Sequence, residues 1–374
     1  MTQAARRYVP FSSLWKMRID HPYSLVVRDG AAAWSCGQCP LDTDGRVCSP
    51  GDLAAQTRCI VPFIQTGLDG VGLSPDSIGK LVVYFVDVGA RERQQMLSIL
   101  RSAFGETPLI LPLAVPHFYY DGMLIEVDVH AAVGAPVRVE GGSPGIVLEA
   151  VVGDELAWVN VMLARETLDS GSKSLARFIE SLLADLGIGA DALLSDHWFV
   201  GQHVEDAAFD ALVHDSLISD RGAVAQAGLP GGSRLVGELT LARPGGVRAA
   251  PIVRRHVSHG AAVAVRTQGR YFWISGRANT PGHGLVDQTR SAMQAIDAAM
   301  LEQGWRFDRV CKATTHYVGD SSAEELHANM AVRNDYYRSP GPASTGLPVM
   351  GFPCSASRIT VDVLGTVETP GHTR

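Results

Sequence analysis

Residues 34–88 read WSCGQCPLDTDGRVCSPGDLAAQTRCIVPFIQTGLDGVGLSPDSIGKLVVYFVDV. A β-prone run ends at residues 35–38, and residues 42–45 have the composition of a turn. Asp52 is placed to cap a helix whose apolar residues recur at a helical period, namely Leu53, Ile60, Phe63, Ile64 and Leu68. Residues 81–86 are rich in β-branched and aromatic side chains, which indicates a strand. The stretch therefore predicts strand, turn, helix and strand in that order.

The same succession of elements returns near the C-terminus. Residues 273–277 (WISGR) precede residues 287–290 (DQTR), a helical pattern runs on to Gly304, and residues 311–318 (CKATTHYV) supply the answering strand. Between the two copies, residues 146–242 show the same order of predicted strands and helices with little sequence likeness. One supersecondary unit is therefore predicted three times along the chain.

Stretches rich in glycine and proline separate these units. Residues 134–145 and 243–246 are predicted linkers, which leaves blocks at 1–134, 146–242 and 251–374. We predict an α+β fold of three tandem ββαβαββ modules. Because each module alone would leave one sheet face bare, we expect the three to close around a shared axis as an intrachain pseudo-trimer.

The composition describes an ordinary globular chain. Of the 374 residues, 46% are hydrophobic and 19% are charged, with a net charge of -7. This acidic balance, without a basic run, speaks against nucleic acid as a partner. No apolar segment reaches the roughly 18 residues of a membrane span, so we expect no membrane partner. Six cysteines in a chain of this size do not indicate a disulfide framework, which favours a cytoplasmic location.

Block one resembles the Rid (YjgF-like) family, whose members are imine and enamine deaminases or their relatives. The matching segments are 21–24 (HPYS), 35–40 (SCGQCP), 51–57 (GDLAAQT), 79–87 (GKLVVYFVD) and 125–128 (IEVD). Block three is similar at 274–276, 287–289, 312–318 and 361–363, whereas block two matches in element order only.

The resemblance carries expectations about assembly and chemistry. Family members are homotrimers with a site in each subunit interface, so this chain resembles a fused trimer, present as a pseudo-trimeric monomer or as a homodimer. The resemblance implies acid–base chemistry on a small molecule, with neither a cofactor nor a metal. In the family, an arginine anchors the substrate carboxylate. Its position is occupied by Leu111 in block one and Ser344 in block three, and only block two has an arginine there, Arg221. After fusion, one of the three interface sites can keep its functional residues while the other two lose theirs.

Carboxylates on the closing strands are the candidate acids and bases. The family glutamate corresponds to Glu126 in block one and falls near Glu238 in block two. Thr360 replaces it in block three, where Asp362 is the nearest carboxylate. A carboxylate facing a cleft is unfavourable unless it is paired or wet, which indicates either acid–base chemistry or a structural partner. His316 is a candidate proton shuttle, although a strand histidine more often has a packing role.

The candidate substrate-binding residues are two arginines, a tyrosine and an asparagine. Arg221 and Arg277 can each offer a guanidinium for bidentate binding of a carboxylate, and the alternative for both is a surface arginine in a turn. Tyr23 is placed to orient a substrate. Asn334 matches the asparagine that the family carries in its second helix.

Other functions stay open beside this one. Chorismatases have a similar length and a Rid-like C-terminal part, and residues 275–278 (SGRA) with Gly282-His283 look like their turn. Thr360 occupies the place of their glutamate, however. A ligand-binding protein that has lost catalysis is the non-enzyme alternative, which Leu111 and Ser344 favour. A redox pair at Cys36 and Cys39 lacks the helix N-terminus that such chemistry needs.

Overall fold

The computed structural model describes residues 6–11, 14–134, 136–143, 145–164, 192–201, 223–226, 228–242, 252–352 and 356–367, with residues 181 and 184. Across these ranges, no helix combines the length and the hydropathy that a membrane crossing requires.

The described strands fall into three successive groups. Group 1 comprises β1 (Arg7–Pro10), β2 (Ser24–Asp29), β3 (Ala32–Ser35), β4 (Ile78–Phe85), β5 (Leu109–Ala114) and β6 (Ile125–Ala132). Group 2 comprises β7 (Val137–Ser143), β8 (Ile146–Val152), β9 (Leu156–Leu163), β10 (Leu193–Gly201), β11 (Ala223–Gln226) and β12 (Leu235–Ala242). Group 3 comprises β13 (Ile252–Ser258), β14 (Ala261–Gln268), β15 (Tyr271–Ala278), β16 (Val310–Tyr317), β17 (Ala343–Pro348) and β18 (Ile359–Thr366). Group 1 also carries helices α1 (Leu53–Gly70) and α2 (Ala90–Phe104), and group 3 carries α3 (Leu285–Glu302) and α4 (Ala323–Asn334).

All three groups have the same strand order. It is β1-β2-β3-β6-β4-β5, then β7-β8-β9-β12-β10-β11, then β13-β14-β15-β18-β16-β17. The last two strands of each order, β4 with β5, β10 with β11 and β16 with β17, pair in parallel. The pair Ala343 and Ser24 joins groups 3 and 1 into a 12-stranded sheet, whereas group 2 forms a separate 6-stranded sheet. The fold is therefore α+β, as the sequence predicts.

A buried glutamine in the first turn of the long helix holds the segment before the closing strand. The Gln56 side chain binds the main chain of Ser49, Gly122 and Leu124. Gln288 has the same place in α3 and binds the main chain of Thr280, His283, Ala356 and Arg358. Because buried main-chain groups need hydrogen-bond partners, the two glutamines hold the segments that lead into β6 and β18.

The structure corrects the predicted boundary between the first two blocks. Residues 137–143, predicted as part of a linker, form β7 and open group 2. Gly141 and Gly142 lie in the ladder with β8, so these glycines belong to a strand. Each group begins with such an extra strand, which the ββαβαββ pattern omits.

Some predictions for block two cannot be compared with the structure. The two helices that the element order predicts there, at 168–187 and 206–217, lie outside the described residues apart from residues 181 and 184. The predicted linker at 243–246 also lies outside them.

Buried ion pairs connect each group to the next. Lys312 Nζ of group 3 lies 2.5 Å from Asp128 Oδ1 of group 1, and Lys80 of group 1 binds Glu238 of group 2. His197 Nε2 of group 2 lies 3.5 Å from Asp362 Oδ2 of group 3, and its Nδ1 lies 3.6 Å from Glu238 Oε2. Asp128, Glu238 and Asp362 occupy corresponding positions on their closing strands. Each pairs with the third residue after the bulge in the neighbouring strand β4, β10 or β16. If the groups are taken in cyclic order, so that group 3 precedes group 1, each carboxylate is paired with a cation from the group before it.

We expect His197→Leu to destabilise the protein by about 3 kcal/mol, because it leaves Asp362 as an unpaired buried charge. Burial alone would lower the pKa of His197, but Asp362 and Glu238 outweigh it and raise the pKa to about 10. Its stabilising contribution is thus full below the unfolded pKa of 6.5 and is lost as the pH rises through about 10. Urea unfolding at pH 7 checks this, with the exposed His283→Leu as control. An effect of His197→Leu no larger than that of the control would contradict it.

Candidate active site

A cavity lies between group 1 and group 3. Group 1 contributes the polar residues Tyr23, Cys39 and Glu126, and group 3 contributes Arg333 and Ser344. Most of the remaining wall is apolar or aromatic, including Phe11, Trp15, Phe118, Tyr119, Leu326 and Met330. The cavity therefore combines few polar groups with an apolar body, the usual composition of a small-molecule site.

Glu126 is the acidic group of this cavity. It lies on β6 opposite Tyr84 and is buried, and no ion pair to it occurs within the described ranges. Burial raises the pKa of Glu126 to about 8, with a further rise from the Asp128 charge and a partial offset from Lys312 and Cys39. The carboxyl group is therefore largely neutral at pH 7 and able to donate a proton.

Arg333 is the cationic group of the cavity and comes from the last turn of α4. It is only 3% exposed. Its Nε donates to Asn329 Oδ1 at 3.2 Å and its Nη1 donates to Thr315 Oγ1 at 3.0 Å. Both partners are neutral, and in the described part of the chain Arg333 has no carboxylate partner. A buried guanidinium without an acidic partner can donate hydrogen bonds to an external anion.

Tyr23 lies at the same wall as Arg333. Its hydroxyl is close to Ser344 and Arg333, yet it has no hydrogen bond of good geometry to any described residue. Burial raises the pKa of Tyr23, with an opposing effect of the Arg333 charge, so the hydroxyl is a proton donor in hydrogen bonds. Tyr23 and Arg333 together offer N–H and O–H donors to one ligand group.

Strand register assigns the other candidate carboxylates to a different position. Opposite Tyr84, Phe199 and His316, the closing strands carry Glu126, Val236 and Thr360 respectively. Glu238 and Asp362 instead correspond to Asp128, and all three form the cross-group ion pairs. Glu238 and Asp362 therefore take part in ion pairs between groups and do not share the strand position of Glu126, and a catalytic role for them stays a prediction. Of the corresponding positions, only Glu126 carries a carboxylate.

The remaining candidates do not join Glu126 and Arg333 in the cavity. His316 is buried between Tyr84, His197 and Phe199, and burial lowers its pKa to about 4, so it is a neutral core residue. Asn334 donates to the Asp20 carbonyl at 3.3 Å and lies outside the lining. 

Of the other predicted residues, Arg277 and His283 do not line the cavity, and Arg221 cannot be placed. Arg277 is buried over the Phe352 ring and pairs with Thr360 on β18, away from the described cavity. His283 is exposed in the loop before α3. Arg221 lies outside the described residues.

Arg333 was not among the predicted residues, because the family position of the anchoring arginine falls at Leu111 and Ser344. The sequence pattern that points to Arg333 is the buried stripe of α4, which includes the residue just before Asn334. Leu326, Asn329, Met330 and Arg333 form the buried stripe of α4. Two of these four are polar, which is unusual for a core-facing stripe and indicates a buried polar site.

We expect Gly37→Ala to impair the site without unfolding the protein. A Cβ at residue 37 would overlap Glu126 Oε1, so the carboxyl group must leave its position. Activity should fall by at least about tenfold, because acid catalysis requires the proton within hydrogen-bond reach. Gly351→Ala is the control, since a Cβ there meets nothing within 4 Å. Equal activity of the two variants, with both folded by circular dichroism, would contradict this role.

Known proteins resemble part of the chain. Residues 16–133 match the family described as Endoribonuclease L-PSP. A RutC family protein of Pyrococcus horikoshii is 29% identical over 108 residues, which are 29% of this chain and 83% of the relative. A Rid family protein from Yersinia pestis, of known structure, is 23% identical and aligns with 34% of this chain and all of its own length, with a TM-score of 0.31.

The first third of the chain is Rid-like. A solved chorismatase structure aligns over a longer stretch, covering 78% of this chain and 93% of its own length with a TM-score of 0.50. Its sequence identity is 12%, so the likeness concerns the fold. Glu126 lies inside the matched Rid-like segment, whereas Arg333 lies outside it.

Proposed function

We propose that the chain is an acid–base enzyme that acts on a small carboxylate-bearing imine, enamine or enol ether in the cavity between groups 1 and 3. One observation carries the proposal. A neutral buried carboxyl group, Glu126, and a buried guanidinium without an acidic partner, Arg333, line the same apolar cavity. Rid-like and chorismatase-like similarity is compatible with such a hydrolase, deaminase or lyase.

The roles of the two residues follow from their charges. Arg333 holds the substrate carboxylate, assisted by the Tyr23 hydroxyl. The Glu126 carboxyl donates its proton to the terminal carbon of an enamine or enol ether, which leaves an iminium or oxocarbenium ion. Water adds to that cation and gives a proton to the Glu126 carboxylate, which restores the acid. The resulting carbinolamine or hemiketal then releases ammonia or the alcohol and becomes a carbonyl compound.

We further propose that groups 1, 2 and 3 are three copies of one unit arranged as a pseudo-trimer. The common strand order and the cyclic ion pairs Lys312–Asp128, Lys80–Glu238 and His197–Asp362 support this. The units would span 1–134, 136–242 and 251–374, with β7 assigned to the second. Such a chain forms its sites internally, as a monomer or within a homodimer. The free thiols of Cys36, Cys39 and Cys311 support a cytoplasmic location.

The fold likeness to a chorismatase keeps a chorismatase-like reaction as the second candidate. The description "endoribonuclease" of the matching family is less suitable, because the cavity offers one guanidinium within apolar walls and RNA recognition uses extended basic surfaces. Ligand binding without catalysis is the third candidate.

Two assays on the full-length protein separate these candidates. Ammonia release from 2-aminoacrylate supports the imine or enamine reaction, and pyruvate release from chorismate supports the second candidate. If neither product forms while the protein binds benzoate in a calorimeter, a binding function replaces the proposal. Absence of both turnover and binding would overturn the assignment of this cavity.

We expect both activity and stability to decrease as the pH rises toward 8. The proton donor is lost as the pH passes the pKa of Glu126, which burial raises to about 8. The unfolded carboxyl group titrates near 4.5, so the folded state holds one proton more between these values. The free energy of unfolding should therefore fall with pH there, by up to about 1.4 kcal/mol per unit. Urea unfolding at pH 5.5, 6.5 and 7.5 checks this against Glu126→Gln, which should lack that slope. An equal slope in both proteins would refute the raised pKa.

A further inference from the structure

We propose that Lys312 is a positioning residue for the candidate site, because its ammonium group fastens together the three strand segments that form the site's inner wall. This inference rests on the proposed function and deepens it. Lys312 lies on β16, is 3% exposed, and does not line the cavity itself. Its effect on a ligand is therefore indirect, through the residues that it holds.

Nζ of Lys312 donates three hydrogen bonds, each to a different strand. They go to the Ser35 carbonyl on β3 at 2.8 Å, to Asp128 Oδ1 on β6 at 2.5 Å and to Thr345 Oγ1 on β17 at 2.6 Å. Thr345 Oγ1 also donates to Asp128 Oδ1 at 2.7 Å. An ammonium group has three protons, so every one of them is used.

Each partner lies one or two residues from a residue of the cavity lining. Ser35 precedes the turn that presents Gly37, and Asp128 lies two residues after Glu126 on the same face of β6. Thr345 lies between Ser344 and Gly346, both of which line the cavity. Lys312 therefore joins the wall carrying Glu126 in group 1 to the β17 wall beside Arg333 in group 3.

The corresponding lysine of group 1 provides a matched control. Lys80 follows the bulge in β4 as Lys312 follows the bulge in β16, and both are buried. Lys80 binds Glu238, at the contact between groups 1 and 2, and neither of these two lines the cavity. Lys80→Met and Lys312→Met thus break comparable buried ion pairs, but only the second is next to the candidate site.

The test compares Lys312→Met, Lys80→Met and the double variant Lys312→Met/Asp128→Leu. Three quantities are measured: urea stability, the Kd for benzoate, and the ¹³C chemical shift of the Glu126 carboxyl group at pH 6. We expect both single variants to lose stability, because each leaves a buried carboxylate unpaired. Only Lys312→Met should weaken benzoate binding, by at least about tenfold, and displace the Glu126 resonance. Lys80→Met should change the Kd by less than about twofold.

The double variant separates positioning from folding. Replacing both charges with apolar groups should recover stability, but it restores none of the bonds to Ser35 and Thr345. We therefore expect the double variant to be stable and still at least about tenfold weaker in binding. Wild-type Kd and resonance in a folded Lys312→Met, or full recovery of both in the double variant, would overturn the inference. If wild-type protein neither turns over substrate nor binds benzoate, the proposed function fails, and the Glu126 resonance still decides the role of Lys312.

Discussion

Replacing Glu126 with glutamine should lower kcat by about a thousandfold, with little change in KM. A positioned proton donor contributes roughly 10²–10⁴ to the rate, and an amide cannot take over that role. Glutamine keeps the size of the side chain, so the cavity and the Arg333 wall remain. The measurement is steady-state kinetics with whichever substrate, 2-aminoacrylate or chorismate, the wild-type protein turns over.

The matched control for Glu126→Gln is Thr360→Val, at the corresponding position of β18. Thr360 is buried and does not line the cavity, so kcat should stay within about twofold of wild type. A large loss in Thr360→Val together with normal activity in Glu126→Gln would place the reaction near Arg277, which pairs with Thr360, instead. That outcome would refute the present site.

Replacing Arg333 with methionine should weaken carboxylate binding by about a hundredfold, because hydrogen bonds to charged groups contribute roughly 1.5–3 kcal/mol each. The same change should raise the free energy of unfolding of the ligand-free protein, since it removes a buried cation without an acidic partner. Opposite effects on binding and stability distinguish a functional arginine from a structural one. Calorimetry with benzoate and urea unfolding provide the two measurements.

Helix α2 suggests a cleaner variant of this experiment. Leu100 and Met96 occupy the same places in α2 as Arg333 and Asn329 in α4, and Val83 on β4 corresponds to Thr315 on β16. The triple variant Arg333→Leu/Asn329→Met/Thr315→Val transplants this apolar set into group 3. The Thr289 hydroxyl loses its contact with Asn329 but keeps its hydrogen bond to the Leu285 carbonyl. It should fold at least as stably and bind no benzoate. Arg101→Met, at an exposed arginine, is the control and should bind normally. Tight benzoate binding by the triple variant would eliminate Arg333 as the anchor.

Much of the fold could be predicted from local pattern. Asp52 accepts a hydrogen bond from the Ala55 N–H and caps α1, and the helical period of residues 53–68 faces the core, as expected. The prediction failed at residues 137–143, where glycines that usually mark a linker are held in a strand by pairing with β8. Local composition could not reveal that pairing, because the partner strand lies beyond the turn.

Of the two charged residues of the candidate site, only Glu126 was predicted from the sequence. Glu126 followed from resemblance at residues 125–128, which lie within the Rid-like segment. Glu238 and Asp362 seemed equivalent to it, because a two-residue shift along a strand keeps a side chain on the same face. Only the register with β10 and β16 shows that both belong with Asp128.

The sequence by itself determined the α+β class and the succession strand, helix, strand within residues 34–88 and 273–318, because each depends on neighbouring residues. Glu126 was predicted from the family resemblance at residues 125–128. The tertiary structure alone decided that Arg333 shares a cavity with Glu126 and that the other carboxylates are neutralised by lysine and histidine from adjoining groups. These contacts join residues far apart in the chain. The distances between these residues depend on how the three strand groups pack against one another, and local sequence patterns do not specify that packing.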